Sequence, residues 1–303
     1  MATVAVLLVI AVVVGAIYGI RAMVVRAEIS QAKSRQYELT QEYDFNPGDI
    51  ISDGQFFDGD AMGEQEVQAF LDKQGADCTA DGCLRNRTFD VESRDADQYC
   101  QGYEPSAEAK AAAEKATAAA KAKAAKEKKK ASSVKEVAPK ETAAAIIAGA
   151  GKSCGVSQKV LLTVLQKEQQ LVSAKTEPTD FQFKAAMGLS CPDDDQCDPE
   201  YAGFFNQVYG AAERYRYYEA HESQYGYHAG QLNYIQYNPD ASCGGDNVWI
   251  DNKATALLYI YTPYQPNVAA LKAGAGEGDS CSTYGNRNFS IIYEGWFGDP
   301  RTE

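Results

Sequence analysis

This 303-residue chain has only two histidines, and its acidic side chains outnumber its basic ones. His221 and His228 are the only imidazoles, so a His-rich zinc site, a Ser-His-Asp triad or a Cys-His pair would need one of them. Neither has a metal-ligand companion at helical spacing, and we expect both to be structural or exposed, with no metal or other cofactor. The net charge of −13 predicts no nucleic-acid partner, because phosphate backbones are bound through Lys and Arg.

The few basic residues are unevenly placed. Residues 104–141 hold ten lysines and six glutamates, which leaves a net charge of about −17 for the rest of the chain. Alanine, lysine and glutamate favour helix, but 105–133 has almost no apolar residue larger than alanine to bury. This segment is therefore predicted to be a solvated helical spacer, or alternatively a cationic arm that touches anionic wall polymers or lipid head groups.

Long apolar runs are also rare, and the clearest one opens the chain. Residues 2–20 are aliphatic except for Thr3, Gly15, Tyr18 and Gly19. A helix of this length is roughly 29 Å long and can span a membrane. We favour an uncleaved membrane anchor over a signal peptide, because a basic start and a small-x-small cleavage site are not clear.

The charges and cysteines that follow this run disagree about its orientation. Arg21, Arg26, Lys33 and Arg35 would keep the folded part in the cytoplasm by the positive-inside rule. An even number of cysteines, eight, instead indicates disulfides and an oxidising compartment. We follow the cysteines and predict a cell-envelope protein, membrane-anchored or secreted, whose folded part is extracellular. Nearness in sequence predicts the pairs Cys78–Cys83 and Cys191–Cys197. For the four cysteines that remain, we expect Cys100–Cys154 and Cys243–Cys281.

Hydrophobic periodicity predicts a mainly α (α+β) fold with short strands. Helices are expected at 63–74, 143–154, 157–172 with Ser157 as cap, 201–219, and after Asn252, which follows a VWI strand. The apolar tail 287–298 is expected to pack across the body. The predicted segments are an anchor or signal at 1–26, a juxtamembrane linker at 27–43, an N-terminal subdomain at 44–103, the spacer at 104–141 and the main body at 142–303.

Glu168 is the candidate catalytic residue. The apolar positions of the 157–172 helix recur at the spacing of one buried face, and Glu168 lies between Leu165 and Val172 on it. A carboxyl group there would be partly desolvated, which would raise its pKa towards the range of a general acid. The alternative is that Glu168 is solvated, or satisfied by a basic neighbour within the polar string 166–170.

Several motifs resemble a known superfamily. The string GVSQKVLLTVLQKEQ (155–169), then AAMGL (185–189) and a helix rich in Phe and Tyr, resembles the lysozyme-like proteins, especially lytic transglycosylases and goose-type lysozymes. FNPGDIISD, LQKEQ, GFFNQVY, YTPYQPN and YGNRNF also resemble secreted actinobacterial cell-wall proteins labelled lysozyme-like or haemagglutinin-like. The resemblance implies a lysozyme-like helical catalytic domain over 142–303, with the Ala/Lys-rich segment as a helical insertion.

The resemblance assigns roles to particular residues. Glu168 corresponds to the catalytic acid, and Met187, Gly188 and Leu189 correspond to the element that lines the sugar cleft. Tyr261 lies near the position of a cleft tyrosine. The sequence departs from the pattern of these enzymes at two places, which bear on its substrate and its activity. Gln169 stands where transglycosylases have Ser, and Ser190 and Cys191 stand where a Gln is expected.

The implied substrate is the glycan strand of peptidoglycan, cleaved at the MurNAc-β-1,4-GlcNAc bond. A hydrolase ordinarily needs two carboxyl groups, for which Asp180 and the cluster at 193–195 are candidates, whereas a transglycosylase needs one. That acidic cluster is otherwise a solvated loop, with calcium binding by Asp193, Asp195 and Asp198 as a further alternative. The competing function is a non-catalytic, glycan-binding or surface-assembly protein of the cell wall, and a phage-derived origin is compatible with either.

Overall fold

The computed structural model describes residues 2–126, 134–191 and 197–302, with side chains from residue 15 onward. Within these ranges the chain is mainly helical with small antiparallel sheets, which confirms the predicted class. It forms two compact units: the first comprises 1–52 and 222–290, and the second comprises 53–221 and 291–303. The domain boundaries given by the sequence stay a prediction.

The described residues form eleven α-helices and four strands, with short 3-10 helices at Glu222–Gln224 and Ala241–Cys243. They are α1 (Ala2–Tyr43), α2 (Asp53–Phe56), α3 (Glu64–Gln74), β1 (Thr88–Asp90), α4 (Ala107–Lys126), β2 (Lys140–Thr142), α5 (Ala143–Cys154), α6 (Gln158–Gln169), α7 (Asp180–Lys184), α8 (Phe204–Ala220), β3 (Gln231–Gln236), β4 (Gly245–Ile250), α9 (Lys253–Tyr261), α10 (Val268–Lys272) and α11 (Gly285–Phe297).

The first unit is built on the antiparallel pair β3–β4, in which Leu232 lies opposite Trp249. The side chain of Gln36 in α1 extends the edge of β4: its Nε2 donates to Trp249 O at 3.1 Å and its Oε1 accepts from Trp249 N at 2.8 Å. Residues 27–43, expected as a linker, are thus the C-terminal part of α1. The predicted VWI strand lies in β4, and Asn252 caps α9 by accepting from Thr255 N at 2.8 Å.

The predicted membrane span lies mostly outside the described side chains. Backbone helix covers 2–20 as part of α1, but the side chains of 2–14 are not described. Among the residues that are, no helix is both long enough and apolar enough to cross a membrane.

The second unit buries the apolar face predicted for the 157–172 helix. Val160, Leu161, Val164 and Leu165 of α6 are completely buried, as their three- and four-residue spacing predicts. The helices expected at 63–74, 143–154 and 201–219 are confirmed as α3, α5 and α8. Ser157 occupies the N-cap position of α6, but its side chain makes no capping hydrogen bond to any described residue.

Two short strands bring the ends of the spacer region together within the second unit. β1 and β2 flank the spacer and pair antiparallel, with Phe89 opposite Glu141. α4 confirms the predicted helix as far as Lys126, and 127–133 lie outside the described residues. The spacer is less solvated than expected, because Ala109, Ala113, Thr117 and Ala124 are buried and Thr117 Oγ1 accepts from Val137 N at 2.9 Å.

The end of α11 packs on α3 within the second unit. The ring of Phe70 lies 5.2 Å from that of Trp296 and 4.9 Å from that of Phe297. Tyr293 donates a 2.8 Å hydrogen bond to Gln55 Oε1. The expectation that the apolar tail packs onto the folded chain is therefore confirmed.

The structure contains the four predicted disulfides and, in the described part of the chain, no free cysteine. Cys100–Cys154 spans 54 residues and joins the segment before the spacer to the end of α5. Cys78–Cys83 spans only five residues. Four disulfides indicate an extracellular, secreted protein, because such bonds persist in oxidising compartments.

Replacing Cys100 and Cys154 by Ser is expected to lower the free energy of unfolding by about 2–4 kcal/mol, since this bond restricts a long loop in the unfolded chain. The same replacement of Cys78 and Cys83 is expected to cost about half as much, because the loop is short. Urea unfolding followed by circular dichroism measures both variants. Equal losses would contradict the assignment of the larger constraint to Cys100–Cys154.

Candidate functional site

The structure places Glu168 in the last turn of α6. The helix ends because Gln170 adopts the left-handed conformation (φ 54°). The Glu168 side chain is 27% exposed, and its Oε1 lies 2.7 Å from Nζ of Lys167, whose own side chain is 8% exposed. The carboxyl group is thus partly buried, as one interpretation predicted, and it has the basic neighbour that the other interpretation predicted.

The backbone of Gly188 approaches the second oxygen of this carboxyl group. A Cβ atom placed on Gly188 would lie 3.1 Å from Glu168 Oε2, closer than side chains ordinarily pack. Gly188 also has a positive φ of 71°, which residues with a side chain rarely adopt. Glycine at 188 therefore lets the 187–189 loop lie directly against Glu168, and Oε2 is the oxygen that faces this loop.

A single buried amide fixes the position of this loop. Oε1 of Gln207, in the first turn of α8, accepts from Met187 N at 3.0 Å and from Leu189 N at 3.1 Å. Its Nε2 donates to Leu189 O at 2.8 Å and to Tyr201 O at 2.7 Å. Gln207 is fully buried, so these four bonds satisfy the hydrogen-bonding capacity of an amide that water does not reach.

Tyr215 of α8 lies in the core of the second unit, close enough to Glu168 for the charge of that carboxyl group to act on the phenol. Its side chain is fully buried, and its ring meets that of Phe56 edge-on at 5.0 Å. Burial raises the pKa of Tyr215 well above its ordinary value, and the negative charge of nearby Glu168 raises this pKa further. The phenol therefore stays neutral beside Glu168.

Comparison with known proteins identifies no related protein with this arrangement of residues. No protein-family profile, curated protein or solved structure matches this chain. The lysozyme-like resemblance therefore depends on the motifs quoted above, and the geometry around Glu168 is the basis for a functional proposal.

The other predicted substrate-binding residues differ in what they can offer a ligand. Met187 is fully buried and Leu189 is 5% exposed, so a ligand beside Glu168 would meet the loop backbone and not these side chains. Asp180, at the start of α7, is 89% exposed and pairs with Arg87 Nη2 at 2.9 Å. Tyr261 ends α9 in the first unit, whereas Glu168 belongs to the second.

The acidic cluster at 193–195 lies outside the described residues, so neither its solvated-loop interpretation nor the alternative of calcium binding by Asp193 and Asp195 is tested. In the part of the chain that is described, no group of three or more His, Cys, Asp or Glu side chains could hold a metal ion. His221 stacks on Tyr217 with ring centroids 4.2 Å apart, and His228 Nδ1 lies 3.7 Å from Glu222 Oε1.

Gln207 holds the 187–189 loop, and its role was not predicted from the sequence. Its signal is a polar residue on an apolar helical stripe, three residues after Phe204 and four before Ala211. A buried amide in this position must find partners, but the stripe alone does not show which backbone groups these are.

Replacing Gly188 by Ala is expected to reduce any Glu168-dependent activity at least about tenfold, because the new Cβ displaces the carboxyl group by several tenths of an ångström. The backbone strain at positive φ costs an additional ~1–2 kcal/mol in the free energy of unfolding. Gly155→Ala is the matched control: Gly155 has a φ of 63° and open space where a Cβ would lie. Both variants should lose similar stability, and only Gly188→Ala should lose activity.

Proposed function

We propose that this protein cleaves peptidoglycan at the MurNAc-β-1,4-GlcNAc bond, with Glu168 as its single general acid and base. The observation that carries this proposal is the carboxyl group of Glu168, partly exposed at the end of a buried helix, with Oε2 against a glycine loop. The quoted motifs supply the chemical class, which is a lytic transglycosylase or muramidase of lysozyme-like fold.

One carboxyl group is sufficient for the transglycosylase reaction. Protonated Glu168 donates its proton to the glycosidic oxygen as the bond from that oxygen to C1 of the muramyl residue breaks. The resulting carboxylate then accepts the proton of the muramyl 6-hydroxyl as its oxygen bonds to C1. The products are a free 4-hydroxyl on one fragment and a 1,6-anhydro ring on the other, and the proton returns to Glu168.

The position of Asp180 favours this form of the reaction over hydrolysis. A muramidase that uses two carboxylates needs both of them beside the scissile bond. Asp180 is almost fully exposed and forms an ion pair with Arg87, away from the side-chain pair of Glu168 and Lys167. A mechanism with one carboxyl group needs nothing from Asp180.

The proposed location is the cell envelope, with the folded part outside the membrane. The disulfides support export. In this proposal the apolar start of α1 anchors the chain in the membrane, the spacer is an insertion within the body, and the partner is the glycan strand of the wall.

The products of a digest test the proposal. The full chain is incubated with purified peptidoglycan, and the soluble fragments are analysed by mass spectrometry. Anhydro-muramyl ends are expected. Reducing muramyl ends would identify a hydrolase, and the absence of any soluble fragment would reject cleavage altogether.

The second candidate is a non-catalytic wall-binding or surface-assembly protein, of cellular or phage origin. The observation that favours it is the ion pair between Glu168 and the nearly buried Lys167, which occupies one carboxyl oxygen in the absence of substrate. The departures at Gln169, Ser190 and Cys191 agree with it. Retention of the chain on insoluble peptidoglycan, without turnover, is the result that this candidate predicts.

A further inference from the structure

A cavity of about 370 Å³ in the second unit is lined by aromatic and charged side chains, and Glu168 is not among its lining residues. Its walls come from the 94–99 segment and from α8 with the residues just before it. Its volume lies at the lower end of the ~300–1,000 Å³ typical of small-molecule sites, which suits one or two sugar-sized rings. The rings and cations that line it are Tyr99, Tyr201, Tyr209, Tyr217, Arg94 and Arg214.

The two arginines of this cavity are held in place by the protein. The Cζ atom of Arg214 lies 5.5 Å from the ring centre of Tyr201 and 5.6 Å from that of Tyr217, and its Nη2 donates to Tyr201 OH at 3.0 Å. Arg94 Nη2 donates to Asn206 Oδ1 at 2.8 Å. Cation–π and hydrogen-bond contacts of this kind orient planar donors before a ligand arrives.

Glu213 gives the same cavity a carboxyl group that can accept hydrogen bonds. Burial raises the pKa of Glu213, and the charge of Asp97 beside it raises this pKa further. Asp97 is fixed by accepting from Tyr99 N and Cys100 N, both at 2.8 Å.

These groups together favour a neutral polyol ring over an anion or a purely apolar ring. Arg94 and Arg214 are matched in charge by Glu200 and Glu213, so an anionic ligand would gain little net attraction. A purely apolar ring would remove water from the polar groups of the cavity without offering them a hydrogen bond in return. A pyranose presents C–H faces that pack on aromatic rings, and hydroxyl groups that both donate and accept.

We propose that this cavity is a carbohydrate-binding site for one or two neutral pyranose residues, distinct from Glu168. This site does not require Glu168 to be catalytic, because it consists only of the rings, guanidinium groups and carboxyl groups of the cavity. A wall-degrading or wall-binding protein would use such a site to hold a glycan strand away from the point of cleavage.

The test is a titration of the full chain carrying Glu168→Gln with the neutral trimer of N-acetylglucosamine, measured by saturation-transfer NMR and calorimetry. Tyr217→Ala and Arg214→Gln, each made in that background, are expected to weaken binding at least tenfold. Tyr234→Ala is the matched control, because Tyr234 is an exposed tyrosine in the first unit, and it should leave the affinity unchanged. Thermal unfolding of each variant confirms that the fold is retained.

Two results would overturn the inference. One is trimer binding that is absent, or that neither cavity variant weakens. The other is inorganic phosphate or citrate binding to the cavity in place of the trimer, which would show that it selects anions. Peptidoglycan turnover is measured separately on cavity variants with Glu168 intact, so failure of the catalytic proposal leaves the trimer titration decisive.

Discussion

Release of soluble muropeptides by the Glu168→Gln variant is expected to fall about 10²–10⁴-fold below that of the parent chain, the usual contribution of a positioned general acid. Glutamine keeps the size of the side chain and its ability to accept a hydrogen bond. It cannot deliver a proton to a glycosidic oxygen or take one from the muramyl hydroxyl. The measurement is the initial rate of fragment release from purified peptidoglycan, at equal concentrations of folded protein.

The ion pair with Lys167 makes a folding control necessary for this variant. Removing the charge of Glu168 leaves an ammonium group whose side chain is only 8% exposed, so some loss of stability is expected. Thermal unfolding separates this loss from a loss of chemistry, since a folded but inactive variant is the expected result. Equal rates for the variant and the parent would remove Glu168 from the mechanism.

Asp180→Asn is the companion variant that tests Asp180 as a second catalytic carboxylate. Asp180 is exposed and paired with Arg87, so its replacement should leave the fold and the fragment release unchanged if a single carboxyl group is sufficient. A loss comparable to that of Glu168→Gln would instead identify a second catalytic carboxylate. The mass of the product ends then provides an independent check on the same question.

The features that could be predicted from the sequence are those set by residues near one another in the chain. The buried face of α6 follows from the three- and four-residue spacing of its apolar positions, and this spacing also places Glu168 on that face, between Leu165 and Val172. The spacing extends the predicted helix to 172, whereas α6 ends at Gln169 and leaves Glu168 in its last turn. The short disulfide loops follow from cysteine spacing. Cap residues and glycines set several helix ends, as Asn252 does for α9.

The features that could not be predicted depend on partners far apart in sequence. Gln36 contacts Trp249 across 213 residues, so a segment predicted to be a polar linker is the C-terminal part of α1, with Ala32, Gln36 and Leu39 buried. The spacer lacks large apolar residues, yet Ala109, Ala113 and Ala124 are buried, and Thr117 Oγ1 accepts from Val137 N. Composition predicts the helix of the spacer but not the surface that it meets, and it does not predict that 27–43 are helical.

Replacing Gln207 by Leu is expected to have the largest effect on stability, a loss of about 4–6 kcal/mol in the free energy of unfolding. Leucine fills a similar volume but makes none of the four hydrogen bonds. Two buried N–H groups and two carbonyl groups then lose their partner, and each costs ~1–3 kcal/mol when left unsatisfied. The measurement is urea unfolding at constant pH, followed by circular dichroism.

Two further variants separate the hydrogen bonds of Gln207 from the general effect of leucine on a helix. Gln65→Leu changes an exposed glutamine of α3 and should alter the free energy of unfolding by less than about 0.5 kcal/mol. Gln207→Glu keeps the two accepted bonds but places a carboxylate oxygen against Leu189 O and Tyr201 O, so it should also be strongly destabilised. If Gln207→Leu unfolds with the same midpoint as Gln65→Leu, the amide does not hold the loop. The close approach of Gly188 to Glu168 must then arise from packing alone.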